Sequence, residues 1–308
     1  PPAPVSGFTA SLITMNDILL VWNNPSDADY KSTIVRYSTS GYPVDPVDGL
    51  LVCSQSLPAG STGSFVHEHL SQGRTYYYSA FACDADGNYS SAAHASVVLN
   101  VIDCSTVKLL PDGVEVELSG NVVTAVYPDY GGFYIEQPNR IAGIRVAGSA
   151  AGLQIGDMVD VVGKIDSYRP DSQTAVEREL RGVVTRTGHY GPLEPLLMTC
   201  RSVGGQAVPP YVPGVNDPCG PNNIGLLVRI TGRVTEVITN YLLVDDGSNV
   251  RDLKGRTGVM VGCPGPPGAV VGRMVIVTGV VCGSRPLEWQ TNRRLIRLRD
   301  WDDILFVD

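Results

Sequence analysis

The sequence predicts an all-β chain in which one sandwich precedes two small closed barrels. Three observations lead to this. Across 308 residues, Gly (34) and Pro (22) are plentiful while charged residues make up only 18%. No stretch sustains a helical period over three turns except Val176 to Val184, which is assigned to a strand. The third observation is Asn222 to Val237, a strand with a glycine in its middle that reappears in weaker form about a hundred residues earlier.

In that strand Leu227, Arg229, Thr231 and Arg233 alternate with Leu226, Val228, Ile230 and Gly232, giving one apolar and one polar face. Gly232 sits where a barrel strand must bend, because a missing Cβ lets the strand coil into both halves of a small closed sheet. The earlier copy is Val116 to Val123, with Gly120 matching Gly232. Downstream, Phe133–Glu136 matches Leu242–Asp245, Gly143–Val146 matches Gly258–Val261, and Gly156–Gly163 matches Gly272–Gly279. Four blocks in one order mark an internal duplication. The closing strands fall at Leu180 to Thr185 and Leu295 to Leu298, and the succession is that of an OB-fold barrel. Both copies resemble the OB-like modules of large secreted bacterial proteins, through VVTAV, the FYIE and GIRV blocks, and NNIGLLVR. The resemblance runs from about Val107 to the C-terminus and implies a fold and an extracellular setting, with no catalytic residues.

The first hundred residues carry different signals. Leu20 and Trp22 alternate on one strand, Ile34-Val35-Arg36-Tyr37 forms another, and Leu70 is followed by Tyr76 on the run Thr75 to Ala80. This is the signature of a seven-strand sandwich with a corner tyrosine. The strings PPAPVSGFTA, LLVWNNPSDADYKSTIVRYSTSGYPVDPVDG and YYYSAFACDADGNYS resemble bacterial fibronectin type III domains. The predicted organisation is therefore a fibronectin type III (immunoglobulin-like) sandwich over 1–102, a first OB-like barrel over 103–205, a stiff Pro-rich linker over 206–221 and a second OB-like barrel over 222–308. Ile102 to Pro111 is read as the link between sandwich and first barrel.

The seven cysteines, Cys53, Cys83, Cys104, Cys200, Cys219, Cys263 and Cys282, form no C-x-x-C, and the four His are not spaced with them as zinc ligands would be. Disulfides, and hence an extracellular or cell-surface location, are the expectation. The positions of Cys53 and Cys83 are often aromatic in the fibronectin type III relatives, so the resemblance suggests that these two bond to each other. Cys104 and Cys200 flank the first barrel where its termini can meet and are paired on that ground. Cys219, Cys263 and Cys282 then remain, leaving one thiol free or bonded to another chain. The chain opens Pro-Pro-Ala-Pro without an initiator Met, as after removal of a signal peptide or in an excised piece. It has no apolar run of the ~18 residues that a membrane span needs.

The net charge is −8, unevenly spread: residues 1–103 carry 3 basic and 9 acidic groups, 104–214 carry 9 and 12, and 215–308 carry 11 and 10. Only the last module could offer a basic surface. Its aromatic and basic residues Trp289, Arg293, Arg294, Arg297 and Trp301 are the candidate ligand surface for single-stranded nucleic acid or sugar, set against barrel-edge charges followed by Asp300, Asp302 and Asp303. The overall negative charge argues against nucleic acid. Asp84 to Asn88 resembles the start of a calcium loop but lacks the closing Glu, so it and Asp245 to Asn249 read as turns. His67 and His69 lack a third metal ligand. Glu177 and Glu179 would serve a glycosidase only across a cleft. Asn88-Tyr89-Ser90 is a glycosylation sequon.

No G-x-S-x-G, Walker loop or Cys with a matching His and Asn is present, so the sequence predicts neither an enzyme nor a cofactor. Three readings follow. The first is a structural protein that associates with copies of itself, head to tail, into an extracellular filament or surface layer, through an arm Pro1, Pro2, Ala3, Pro4, Val5 and Ser6 with no fold of its own and an open β edge. The second is a polysaccharide-binding accessory region of a glycan-processing system, and the third an exported single-stranded nucleic-acid binder.

Overall fold

The computed structural model describes residues 1–14, 16–100, 102–170, 175–262, 270–285 and 291–307. The chain divides into two compact units, Pro1–Val101 and Ile102–Asp308.

Among the described residues the first unit has seven strands: β1 (Ser6–Leu12), β2 (Ile18–Asn23), β3 (Tyr30–Ser38), β4 (Leu50–Gln55), β5 (Thr62–His67), β6 (Arg74–Asp84) and β7 (Ala93–Leu99). They form a three-stranded sheet, β1-β2-β5, and a four-stranded sheet, β4-β3-β6-β7. The alternation read in the sequence is what buries the core: Ile18, Leu20 and Trp22 from β2 meet Val35, Tyr76, Tyr78 and Ala80 from the facing sheet. Trp22 keeps its one donor satisfied by giving Nε1–H to Asn24 Oδ1 at 2.9 Å. Tyr76 donates its hydroxyl to the Ser71 carbonyl at 3.1 Å, fastening the corner expected of it.

The second unit contains β8 (Glu115–Tyr127), β9 (Gly132–Glu136), β10 (Gly143–Ala147), β11 (Asp157–Tyr168), β12 (Glu177–His189), β13 (Leu196–Leu197), β14 (Leu227–Ile238), β15 (Tyr241–Asp245), β16 (Val259–Gly262), β17 (Met274–Cys282), β18 (Leu295–Arg297) and β19 (Ile304–Val307). The first five close into a barrel in the order β10-β12-β11-β8-β9. The second copy runs β14-β15-β16-β18-β17, and the β14–β17 pairing closes it. In both, the first, second, third, fifth and fourth strands of the copy follow one another round the ring, and the third and fifth run parallel. The duplication read from four sequence blocks is thus a duplication of topology, and the fold is all-β: a sandwich and two OB-like barrels.

The matched glycines do different work. Gly120 lies at a register shift between β8 and β11, at φ +67°. Gly232 stays in register opposite Val275. There the constraint is proximity, since a Cβ would come within 2.5 Å of the Asp245 carbonyl oxygen.

Several sequence expectations need correction. The arm Pro1–Ser6 is not free: Pro2 and Val5 are buried, the Ala3 N–H donates to Asp27 Oδ2 at 3.0 Å, and Ser6 already pairs with Asn23. The sandwich core takes Val5 because apolar area gains more from burial than from exposure. The 102–111 link contains a short helical turn, α1 (Cys104–Val107), capped by the Asp103 carboxylate, which accepts from the Thr106 N–H at 2.7 Å. Residues 196–205 belong with the second barrel: β13 pairs with β14, and Cys200 and Val203 lie in its core. Val212 and Val215 of the proline-rich stretch are buried too.

The disulfide expectation fails on geometry. Cys53 pairs with Val35 and Cys83 with Ser32, so β3 lies between them and they are offset by three residues along it. Two strand spacings of ~4.8 Å already exceed the ~7 Å that a bridge tolerates. Cys104 donates to Asn121 Oδ1 in the first barrel, whereas Cys200 donates to the Val244 carbonyl inside the second. Among the described residues Cys53, Cys83, Cys104, Cys200, Cys219 and Cys282 are all free thiols; Cys263 lies outside them. Burial pushes the thiols of Cys53, Cys104 and Cys200 up to about 12 and that of Cys282 up to about 11. Of the described cysteines only Cys219 is exposed. Alkylation of the folded chain followed by peptide mapping will therefore modify Cys219 and spare Cys53, Cys83, Cys104, Cys200 and Cys282 until denaturant is added.

Candidate functional site

Two features of the second unit bring polar and charged side chains together: the seam between the barrels and an open cleft beside it. The seam is built at Leu227, the first residue of β14. Its N–H donates to Glu136 Oε1 at 2.5 Å, and its carbonyl accepts from Arg140 Nη2 at 2.8 Å. Arg140 Nε donates to Glu136 Oε2 at 2.8 Å. The Glu136–Arg140 pair thus takes the place of a neighbouring strand, supplying the acceptor and the donor that a buried peptide group requires. Around it Lys108 Nζ donates to the Ile224 carbonyl at 2.6 Å, Asn292 Nδ2 to the Val176 carbonyl at 2.7 Å, and the Tyr127 hydroxyl to the Arg297 carbonyl at 2.8 Å. Ala125, Tyr127 and Tyr134 pack against Leu227, Met260, Val280, Cys282 and Leu295. The backbones touch at Gly143 and Gly225, where a Cβ on Gly143 would overlap the Gly225 carbonyl.

Burial sets the titration of the seam carboxyls. Desolvation pushes Glu136 up to about 6 against the pull of Arg140 and of the Leu227 N–H. It pushes Glu177 up to about 7, against its hydrogen bonds from the Tyr134 hydroxyl (2.8 and 2.9 Å) and the charges of Arg145, Arg297 and Lys108. Lys108, buried, is shifted down by desolvation.

The cleft has a volume of about 450 Å³. It is lined by the turn after β8, with Tyr127, Asp129 and Tyr130, and by Asn240, Tyr241, Arg297 and Arg299 of the second barrel. The Arg297 guanidinium lies 3.5 Å from the Tyr130 ring centroid and 5.7 Å from that of Tyr127. Arg299 is held by Asp303, through Nε to Oδ2 at 2.9 Å and Nη2 to Oδ1 at 2.6 Å.

Of the described residues of the ligand surface expected from the sequence, only Arg297 lines this cleft. Arg294 is buried and donates to the carbonyls of Asn216, Asp217 and Arg201. Arg293 donates to Met260 Sδ, Trp301 is exposed on a separate 3₁₀ turn, and Trp289 lies outside the described residues. Strand parity explains the dispersal: Arg294 and Arg297 project to opposite sides. Glu177 and Glu179 are both buried, Glu177 on Tyr134 and Glu179 between Arg145 and Arg181. Arg178, buried between them in sequence, pairs with Asp112 and Ser167. The Asp84–Asn88 loop is a turn in which Asp84 Oδ1 accepts from the Asp86 and Asn88 N–H groups. The Asn88 amide of the sequon is itself bonded to Asp84 Oδ2 at 2.9 Å, and Ser90 is buried. His67 bonds to the Tyr78 hydroxyl at 3.0 Å, whereas His69 lies beyond the end of β5 at φ +58°, so the two do not share a strand face. The seam residues Lys108, Glu136 and Arg140 were missed. The signal was a charge, Glu136, at the end of a strand buried at all five positions.

No family model matches the chain, and no curated protein matches it. Among solved structures it is similar to one titled "Structure of FN3tt mut", at 18% identity and a TM-score of 0.25, over 32% of this chain and 97% of that one. It is also similar to "Titin kinase and its flanking domains", at 10% identity and a TM-score of 0.25, over 56% of this chain and 31% of that one. No helix among the described residues is long and apolar enough to cross a membrane.

Two outcomes follow from the seam. Gly143→Ala, whose new methyl meets the Gly225 carbonyl, will destabilise the second unit by about 1–3 kcal/mol in urea unfolding. Glu177, with its folded pKa raised from 4.5 to about 7, contributes stability that is complete below about pH 4.5 and is lost as pH rises through 7. Urea midpoints of the intact chain will therefore fall over that window. Glu177→Gln will remove the Glu177 part of the slope, on the order of 3 kcal/mol at most, leaving the smaller fall contributed by Glu136.

Proposed function

We propose that this is a non-enzymatic, extracellular structural protein whose copies join head to tail through open sheet edges. The observation that carries the reading is the outer edge of the four-stranded sheet. Nothing pairs with β4 on the side away from β3 among the described residues. At its start Leu50 and Leu51 are 62% and 54% exposed, and the preceding loop holds Val44 and Val47 outward at 80% and 79%. That loop is not loose, since the Asp45 and Asp48 carboxylates accept from the N–H groups of Val47, Asp48 and Val44 at 2.8 Å. A shaped apolar row beside an unpaired strand invites strand addition, and no Lys or Arg of the row guards it.

A second edge open among the described residues is β19, which ends the sheet of the second barrel and turns Leu305 outward at 59% exposure. Because β4 and β19 are different surfaces, a β4–β19 contact is heterologous and, where its rotation does not close a ring, generates an open array. The packed N-terminal arm has no part in this contact. Analytical ultracentrifugation and negative-stain microscopy over a concentration series test the reading. The intact chain is expected to form long species, and Leu51→Lys or Leu305→Lys is expected to leave monomers with unchanged melting temperature. An intact chain that stays monomeric at high concentration would refute it.

A further inference from the structure

We propose that the cleft between the barrels is a binding site for an acidic polysaccharide, with Arg297 receiving the carboxylate of one sugar and the rings of Tyr130 and Tyr241 carrying the sugar faces. This goes beyond the structural role above and rests on different residues. At about 450 Å³ the cleft lies within the ~300–1,000 Å³ typical of ligand sites. A second hollow of about 430 Å³ shares Val126 and Pro128 with it and is lined further by Gly131, Gly148 and Ala150. Two hollows with a common wall suit a chain that spans both better than a single small molecule.

The charges select the chain. Arg299 is already neutralised by Asp303, whereas no carboxylate among the described residues lies within ion-pair distance of Arg297. Arg297 is partly buried, its guanidinium packed on the Tyr130 ring and hydrogen-bonded to the buried Cys282 thiol; both contacts fix the planar group where it lines the cleft, and a carboxylate is the acceptor that matches its remaining N–H groups. Asp129, in the same lining, is anionic and repels a polyanion of close charge spacing. A nucleic-acid strand brings one phosphate per nucleotide and needs a run of free cations; among the described residues lining this cleft, only Arg297 is a cation without a carboxylate partner. A sugar polymer with spaced carboxylates needs one cation per acidic unit, and its hydroxyls match Asp129 and the Asn240 amide. Tyr130 and Tyr241, 55% and 37% exposed, present rings to the C–H faces of pyranoses.

The test is calorimetric titration of the full chain with oligomers of galacturonate, mannuronate and hyaluronan, alongside neutral cello-oligosaccharides of matched length and a short oligothymidylate. At least one acidic sugar oligomer is expected to bind, at least about tenfold more tightly than the neutral series or the oligothymidylate. Tyr130→Ala and Arg297→Gln, each checked for an unchanged circular-dichroism spectrum, are expected to weaken that binding by about tenfold or more. Tyr130 sits on an exposed turn, so its variant keeps the test valid if Arg297→Gln fails to fold. Failure of every acidic oligomer to bind overturns the proposal. So does equal or tighter binding of the neutral sugars or the oligothymidylate, or unweakened binding by folded Tyr130→Ala. Assembly measured on the same variants is expected to be unchanged, which separates this proposal from the head-to-tail reading.

Discussion

The peptide group of Leu227 is the point on which the second unit depends. It opens the strand against which the second barrel is built, and it lies buried with no main-chain partner from the first barrel among the described residues. A buried N–H and C=O left unpaired would each cost on the order of 1–3 kcal/mol. Glu136 and Arg140 remove that cost, but only when the two barrels sit close enough for side chains of one to reach the backbone of the other. Gly143 and Gly225 make the approach possible, and Lys108, Asn292 and Tyr127 add contacts of the same kind, side chain to backbone carbonyl. Such contacts fix position more strictly than apolar packing does, because a hydrogen bond weakens steeply once its length or the angle at its hydrogen departs from the preferred range. Two modules of ordinary domain character thereby become one body.

That arrangement explains what could be read in the chain and what could not. Barrel topology was legible because it is written in alternation and in glycines, which recur in both copies at matching places. The sandwich was legible through Trp22 and Tyr76, whose burial and corner bond follow from their strands. The seam was not, since its residues carry ordinary local signals. Glu136 reads as the polar end of a strand and Lys108 as part of a link; only the second barrel's arrival gives them partners. The cysteines misled for a related reason. Seven Cys in an all-β chain suggest staples, yet the described buried ones are free thiols packed as small side chains, Cys53 in the sandwich core, Cys200 in that of the second barrel and Cys282 at the seam. The basic cluster near the C-terminus was half legible, because closeness in sequence hides strand parity: Arg297 lines the cleft while Arg294 is used up on carbonyls of the proline-rich stretch.

The two copies also show how a duplication is divided between roles. Where the first copy has Glu136, the second has Asp245, and where the first has Arg145, the second has Met260. Glu136 reaches across to the neighbour, whereas Asp245 turns back to accept from the Gly247 and Asn249 N–H groups of its own turn at 3.0 Å. Arg145 is held inside the first barrel by Glu179, and Met260 supplies apolar contact to the seam. The first barrel thus presents polar groups at its outgoing face and the second receives them on backbone and apolar surface.

This division bears on how far such stacking could go. A third barrel docked on the second as the second is docked on the first would need a carboxylate free at the position of Asp245 and a cation four residues beyond it. Asp245 is committed to its own turn, and the residue four beyond it is Asn249, which also takes part in that turn. The equivalent connection is longer as well, running from Asp246 to Thr257 where the first copy needs only Gln137 to Ala142. The seam is therefore not a repeatable joint: it is used once within the chain and leaves no copy of itself on the far side. A copy of this seam is thus not available for association between chains, and the proposed contact uses surfaces of a different kind. They are unpaired strand edges with outward apolar rows, at β4 and β19, where affinity would come from main-chain hydrogen bonds and specificity from the side chains that alternate along them.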